Sequence, residues 1–341
     1  ILKVISNKTL KVSFFVLISL NLNYRKLIQF MIYCEYKVAG GFIMRIIHFF
    51  NWRLNDIVPN LETVKKQGFD AIQLNPIQPL KEDGIKEWWM SYQPISFNVG
   101  NYFGSKEELE YLCYVCKELD ILPFQDVVIN HMGSSVNDNF EPHERVDEKL
   151  RNNPDYWRIK KPVNNWNNRD EVIHNCINLP GLNVYNQDVE DMIVDFLNSL
   201  VDLGIEGFRF DAAKSIGLPS EGYRFWPNII YRLKKYGLFL YGEVIFEENR
   251  NILDEYARYM HVLGNYDTSN PDSMVKFVES HDSFLSDDRM GYTKYTKDQD
   301  IIANYKSLVN YYNNTLFYVR PFNDIWKSEE IKSANFTRKI K

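Results

Sequence analysis

The sequence predicts an α/β fold, a parallel sheet with helical crossovers, and three observations predict it. The chain has 341 residues, enough for one barrel of ~250 residues with extras. From Met44 onward, short apolar runs alternate with segments of helical period. Chemistry-bearing side chains recur just after those runs, and in a barrel of parallel strands all such ends open on one face.

Each element follows from local pattern. Residues 46–50 are an apolar run suited to a fully buried strand; residues 57–67 have helical spacing with an exposed Lys65-Lys66 pair, and Gly68 stops the helix. Residues 71–74 form the second strand. Residues 105–119 read as an amphipathic helix with Ser105 as N-cap and Glu107 and Glu108 in its first turn. Residues 122–129 form the third strand. Between Met132 and Pro180 the regularity fails over a stretch rich in Asn, Asp and Arg, too long for an ordinary connection, which predicts a small inserted subdomain over 132–180. The rhythm then resumes with a helix over 187–203, a strand over 207–210, a helix over 223–236 and a strand over 238–241. A helix over 250–258 and strands near 259–263, 274–278 and 316–319 complete the series.

Composition bounds the function. Hydrophobic residues make up 45% and charged residues 25%, as in soluble globular proteins, which argues against disorder and fibrous repeats. Forty basic against forty-five acidic side chains give a net charge of -5, with no basic stripe to suit a phosphate backbone, so nucleic acid is not an expected partner. Cys34, Cys113, Cys116 and Cys176 are too few and too irregular for a disulfide framework and suit a reducing compartment. Cys113 and Cys116 have C-x-x-C spacing, but inside a helical segment with no redox pattern before it, so they read as ordinary helix cysteines.

Residues 1–43 are expected to be a translated leader without structure of its own, with Met44 as the true start. The apolar stretch 12–20 after Lys8 and Lys11 is too short to span a membrane, and no A-x-A-like cleavage site follows. On that start the protein is expected in the cytoplasm with no membrane contact; if residues 1–43 are retained, secretion is the alternative.

The chemistry concentrates in four places. Asp126 and His131 stand at the end of the third strand, Arg209 and Asp211 end the fourth, Glu243 follows the fifth, and His281 and Asp282 follow Phe277-Val278. A single carboxyl at a strand end is commonly a cap or a loop ion pair; four such positions in register favour a site. Asp211 and Glu243 are 32 residues apart, one strand-helix-strand step, so they project from adjacent strands. Retaining glycosidases use such a pair, one as nucleophile and one as acid and base. Arg209, on the same strand face as Asp211, is expected to hold that carboxylate ionised while a less paired Glu243 keeps its proton.

The segments Asp126-Val-Val-Ile-Asn-His131, Gly207-Phe-Arg-Phe-Asp-Ala-Ala-Lys214, Gly242-Glu-Val-Ile245 and Phe277-Val-Glu-Ser-His-Asp282 resemble, in order, the four signature regions of the α-amylase family of glycoside hydrolases. Ile72-Gln-Leu-Asn-Pro-Ile77 and Leu179-Pro-Gly-Leu-Asn183 agree with further segments, and the resemblance runs from about Met44 to Pro321. It implies Asp211 as nucleophile, Glu243 as general acid and base, and Asp282 as the third carboxylate, gripping sugar hydroxyls. It further implies Arg209 orienting the nucleophile, His131 and His281 bonding the sugar at the cleavage point, and Trp88, Trp89 and Tyr92 stacking on glucan beside Gln93. Asn130 resembles a calcium ligand at the junction of barrel and insert, and Asn175 falls where a second ligand, often Asp, is expected. Lys214-Ser215 stands where the family carries Lys-His, with Lys214 on the substrate side. Calcium is therefore expected in a site weakened by amide for carboxylate.

Two features depart from the family. About ten residues separate the strand near 259–263 from the next, fewer than a parallel crossover needs, so one barrel helix is expected to be missing and apolar strand surface exposed. Twenty residues follow Pro321, too few for a full eighth helix and the β-sandwich that usually follows. The expected architecture is a (β/α)8 TIM-type barrel over 44–131 and 181–322, the insert over 132–180 and a short tail over 323–341. The expected function is endo-acting, retaining hydrolysis of α-1,4 bonds in starch or glycogen by a monomer. The alternatives are an α-glucan transglycosylase or a truncated, catalytically degenerate glucan-binding protein.

Overall fold

The computed structural model describes residues 43–285 and 293–337. The expected leader, but for its last residue, and Cys34 lie outside the described residues. Eight parallel strands close into one barrel in chain order. The first half runs β1 (Met44–His48), α1 (Leu54–Ile57), α2 (Leu61–Lys66), β2 (Ala71–Leu74), α3 (Lys106–Glu118) and β3 (Leu122–Val127). Between β3 and β4 come α4 (Glu148–Arg151), α5 (Arg169–His174) and α6 (Gln187–Asp202). The second half runs β4 (Gly207–Phe210), α7 (Phe225–Arg232), β5 (Phe239–Glu243), α8 (Arg250–Tyr256), β6 (His261–Leu263), β7 (Met274–Phe277), α9 (His281–Leu285), α10 (Asp298–Tyr311), β8 (Asn314–Tyr318) and α11 (Glu329–Phe336).

Alternation along each strand sorts side chains between two cores. Ile46, Ala71, Phe124, Tyr241, Leu263, Val275 and Leu316 fill the barrel interior. Their neighbours, such as Ile47, Ile72, Phe208, Leu240, Val262 and Phe317, join the larger core beneath the helices. Gly207 opens β4 because a Cβ there would stand 2.4 Å from the Phe239 carbonyl oxygen and 2.6 Å from the Phe124 ring.

Local chemistry sets the helix ends. The single helix expected over 57–67 is two, because Pro59 lacks the N–H that a continuous helix would use and a 3-10 turn, Val58–Asn60, intervenes. Gly68 follows α2 at φ +78°, the left-handed stop that glycine adopts without strain. Ser105 caps α3 reciprocally with Glu108. Cys113 and Cys116 are buried on the inner face of α3, and burial pushes the Cys113 thiol up to about 12, so both are packed, unreactive thiols.

Between β6 and β7 there is no α-helix, only a 3-10 turn, Pro271–Ser273. The apolar exposure expected there does not follow: Val262 and Met274 are fully buried in the outer core, where α8 packs on β6 and α10 on β7. Polar side chains pin the short connection. Lys276 Nζ donates to the carbonyls of Gly264 at 3.1 Å and Asn265 at 2.7 Å and pairs with Asp267 at 2.8 Å, while Asn314 Nδ2 reaches the Asp272 carbonyl at 3.0 Å. After β8 the chain forms a short helix of two turns, α11, capped by Ser328 and packed on α10.

Trp226 on α7 is fully buried with its ring 5.2 Å from that of Phe210, the last residue of β4. Trp226→Ala is expected to lower unfolding stability by about 3–5 kcal/mol in urea titrations; a loss below about 1 kcal/mol would show that the barrel does not lean on this contact.

Candidate active site

The strand register brings the carboxylates together. β4 and β5 pair with Phe210 beside Gly242, so Asp211 and Glu243, the next residue on each strand, stand side by side at the downstream mouth. Asp126 on β3 pairs with Arg209 on β4. The Arg209 guanidinium, 2% exposed, is the hub. Its Nη1 donates to Asp126 Oδ1 at 2.9 Å, Asp126 Oδ2 at 3.0 Å and Asp211 Oδ1 at 2.7 Å, and its Nη2 lies 3.0 Å from Glu243 Oε2. Glu243 is thus not the less paired carboxyl that the sequence suggests: the planar guanidinium has a second edge to offer it. It also accepts from the Ala212 N–H at 3.0 Å. Ala212 lies at φ +47°, a left-handed turn that an L-residue adopts at a cost of roughly 1–2 kcal/mol; in this conformation its amide meets Glu243.

Burial raises the carboxyls of both Asp211 and Glu243, and Arg209 opposes that rise. The charge of Asp282 raises both, and that of Asp211 raises Glu243 further. One guanidinium among the carboxyls of Asp126, Asp211 and Glu243 cannot balance three negative charges, which favours retention of a proton within the set.

An aromatic wall completes the mouth. The His281 ring stacks on Phe50 (centroids 4.5 Å apart) and on Tyr92 (5.2 Å), with the Trp88 ring edge-on at 5.6 Å. Tyr92 Oη donates to Asp126 Oδ2 at 2.9 Å, and His131 Nε2 lies 2.9 Å from the Tyr92 carbonyl oxygen. Burial lowers His131 to about 4 and His281 to about 3, so both imidazoles are neutral at neutral pH. His281 Nδ1 and Gln93 Oε1 are buried beside the cavity with no hydrogen-bond partner among the described residues.

These groups surround a cavity of about 630 Å³. Of the residues singled out in the sequence, Trp88, Trp89, Tyr92, Gln93, His131, Asp211, Glu243, His281 and Asp282 line it. Trp89 is 41% exposed, at the rim. Arg209 lies behind the carboxylates. Lys214 is not among the residues lining the cavity; its Nζ lies 3.0 Å from the Phe246 carbonyl oxygen and 3.7 Å from Glu247. Sequence reasoning did not assign Asp126, although it opens the first signature segment; its strand-end position was the available signal. The insert's wall, Ser134, Ser135, Val136, Asn139 and Ile177–Leu179, carries no periodic signal.

The family "Alpha amylase, catalytic domain" matches residues 53–314. The chain belongs to the α-amylase family. It is 29% identical to an α-amylase of Clostridium acetobutylicum over 85% of this chain and 42% of that protein. It is 26% identical to an α-amylase-related protein of Drosophila bocqueti over 80% of this chain and 61% of that one. The chain therefore spans about half the length of these relatives. Among solved structures, its fold is similar to the Geobacillus thermoleovorans α-amylase complexed with acarbose (TM-score 0.69, 18% identity, covering 86% of this chain and 77% of that one). It is also similar to α-amylase I from Eisenia fetida (TM-score 0.67, 19% identity, covering 83% and 68%).

The residues at the barrel–insert junction do not fit the calcium implied by family resemblance. Asn130 Oδ1 is buried and without a partner, as a ligand oxygen would be, but it is one neutral donor where calcium takes six to eight oxygens. Asn175, its Nδ2 bonded to the Pro162 carbonyl, has again only one neutral oxygen to offer where a carboxylate would bring charge. Among the described residues no three His, Cys, Asp or Glu side chains converge to hold a metal. A guanidinium, that of Arg158, already bonds the carbonyls of Asn175 and Ser215.

Removing the hub leaves Asp126 buried without its cation. Arg209→Met is expected to cost roughly 3–5 kcal/mol of unfolding stability, read by urea denaturation at neutral pH; an unchanged midpoint would show that the carboxyls carry no charge for Arg209 to balance.

Proposed function

We propose that the chain hydrolyses internal α-1,4-glucosidic bonds of starch or glycogen with retention of configuration. The observation that carries this reading is the pairing of Asp211 with Glu243 on adjacent strands, both bound to one guanidinium and both lining the cavity. Trp88, Trp89 and Tyr92 offer flat faces to glucose rings, and His281, neutral at neutral pH, lines the same cavity, while His131 spends its Nε2–H on the Tyr92 carbonyl.

The chemistry proceeds in two displacements. In the first, an Asp211 carboxylate oxygen attacks the anomeric carbon and forms the glycosyl ester while the bond from that carbon to the glycosidic oxygen breaks. Glu243 gives its proton to the departing oxygen, and Asp282 grips the sugar hydroxyls as the ring flattens. In the second, Glu243 as carboxylate takes a proton from water. The water oxygen attacks the same carbon, and Asp211 leaves as carboxylate. Two inversions give net retention. Arg209 bonds Asp211, which favours the ionised nucleophile.

The test is release of reducing ends from soluble starch. Asp211→Asn is expected to lower the rate by on the order of 10³-fold or more. Proton NMR immediately after mixing should show the α-anomer first, and loss of the starch–iodine colour should outrun the rise in reducing ends. Chromatography that shows longer glucans formed instead would assign transfer, and no turnover by folded protein would leave glucan binding alone.

The pH dependence has a definite sign. As general acid, Glu243 acts while protonated, so activity is lost as pH rises through its pKa. Asp282 raises that pKa; Asp282→Asn is therefore expected to move the alkaline limb of residual kcat/KM to lower pH, besides lowering the rate. A limb that stays in place would mean another group sets it.

A further inference from the structure

We infer that Arg158 is a built-in cation that occupies the junction between barrel and insert in place of calcium, so that this chain folds and holds its insert without a metal. The side chain is only 8% exposed. Its Nε donates to the Leu182 carbonyl at 3.0 Å, Nη1 to that of Asn175 at 3.3 Å and Nη2 to that of Ser215 at 2.9 Å. Two of these carbonyls belong to the chain leaving the insert and the third to the turn after Asp211, so one group ties the insert to β4. Leu182 in turn donates its N–H to the Asn130 carbonyl at 2.9 Å.

The surroundings are shaped for this side chain. Gly181 gives it room, since a Cβ there would stand 2.9 Å from Arg158 Cδ, and the Arg158 N–H bonds the Gly181 carbonyl at 2.8 Å. No carboxylate pairs with Arg158 among the described residues. Carbonyl oxygens alone meet its charge, the neutral hard donors that would face a metal ion. A guanidinium carries its donors in a fixed fork and cannot lose its proton, so it satisfies several carbonyls at once without binding equilibrium or exchange. A divalent ion brought next to it would be repelled and would lack the carboxylates that usually compensate its charge.

The test uses the full chain and reads metal and melting, not starch turnover, so it stands or fails apart from the glycosidase reading. Purified protein dialysed against calcium-free buffer is expected to hold far less than one calcium per chain by mass spectrometry of the metal. Its melting temperature is expected to agree within about 1 °C in excess EDTA and in millimolar calcium chloride, as for a protein with no linked ligand. Arg158→Met is expected to melt roughly 5 °C or more lower, with Arg158→Lys in between, because lysine keeps the charge and loses the fork. About one tightly held calcium per chain, with a melting temperature that falls in EDTA, would overturn the inference; so would a Met variant that melts with the wild type. Should the Met variant fail to fold, the wild-type metal content and the Lys variant decide.

Discussion

The Arg209 guanidinium is the interaction on which the rest of this site depends. It draws Asp126, Asp211 and Glu243 from three consecutive strands onto one cation, which no pair of strands could do alone. Parallel register makes this possible: β3, β4 and β5 present matching positions at one level of the barrel, and a planar side chain with two edges spans them. A lysine, with one point of charge, could not serve both edges. Asp126 is fully buried and also receives Tyr92 Oη and, at 3.4 Å, Gln73 Nε2. Through Tyr92 the same network fixes the ring on which His281 stacks, so charge balance and aromatic wall are one construction.

The barrel achieves this on a reduced plan. Where a helix would cover β6 and β7, α8 and α10 close over the strands and Lys276, Asn313 and Asn314 tie down the ten-residue connection. Hydrogen bonds to backbone carbonyls replace a helix's apolar face there. The same device recurs at the junction between insert and barrel, where Arg158 bonds three carbonyls. Both places use the fixed charge of a buried side chain to hold irregular backbone that secondary structure does not pair.

The strands were legible because period and burial coincide in them: the second and fourth lie at the positions that the apolar runs indicate. Helix boundaries were less so. Pro59 splits one helix, and the segment 298–311, with charged and apolar residues mixed, gave no element in advance although it forms α10 and buries Ile301, Ile302, Tyr305 and Val309. The carboxyls at the cavity were legible from their motifs, while their sharing of one guanidinium was not. Arg209 stands two residues from Asp211, and sequence distance made Asp211 its evident partner; the reach of its other edge to Glu243 is a property of neighbouring strands.

By itself the sequence determined the alternation of strand and helix, the order of the four chemical segments and the identity of the groups at the strand ends, because those are set by local periodicity and by residue type. Only the tertiary structure decided that one guanidinium is shared by three carboxyls, that Lys214 bonds the Phe246 carbonyl, and that Arg158 lies among carbonyls at the junction. Each of these depends on distances between residues far apart in the chain, and such distances exist only once the barrel has closed.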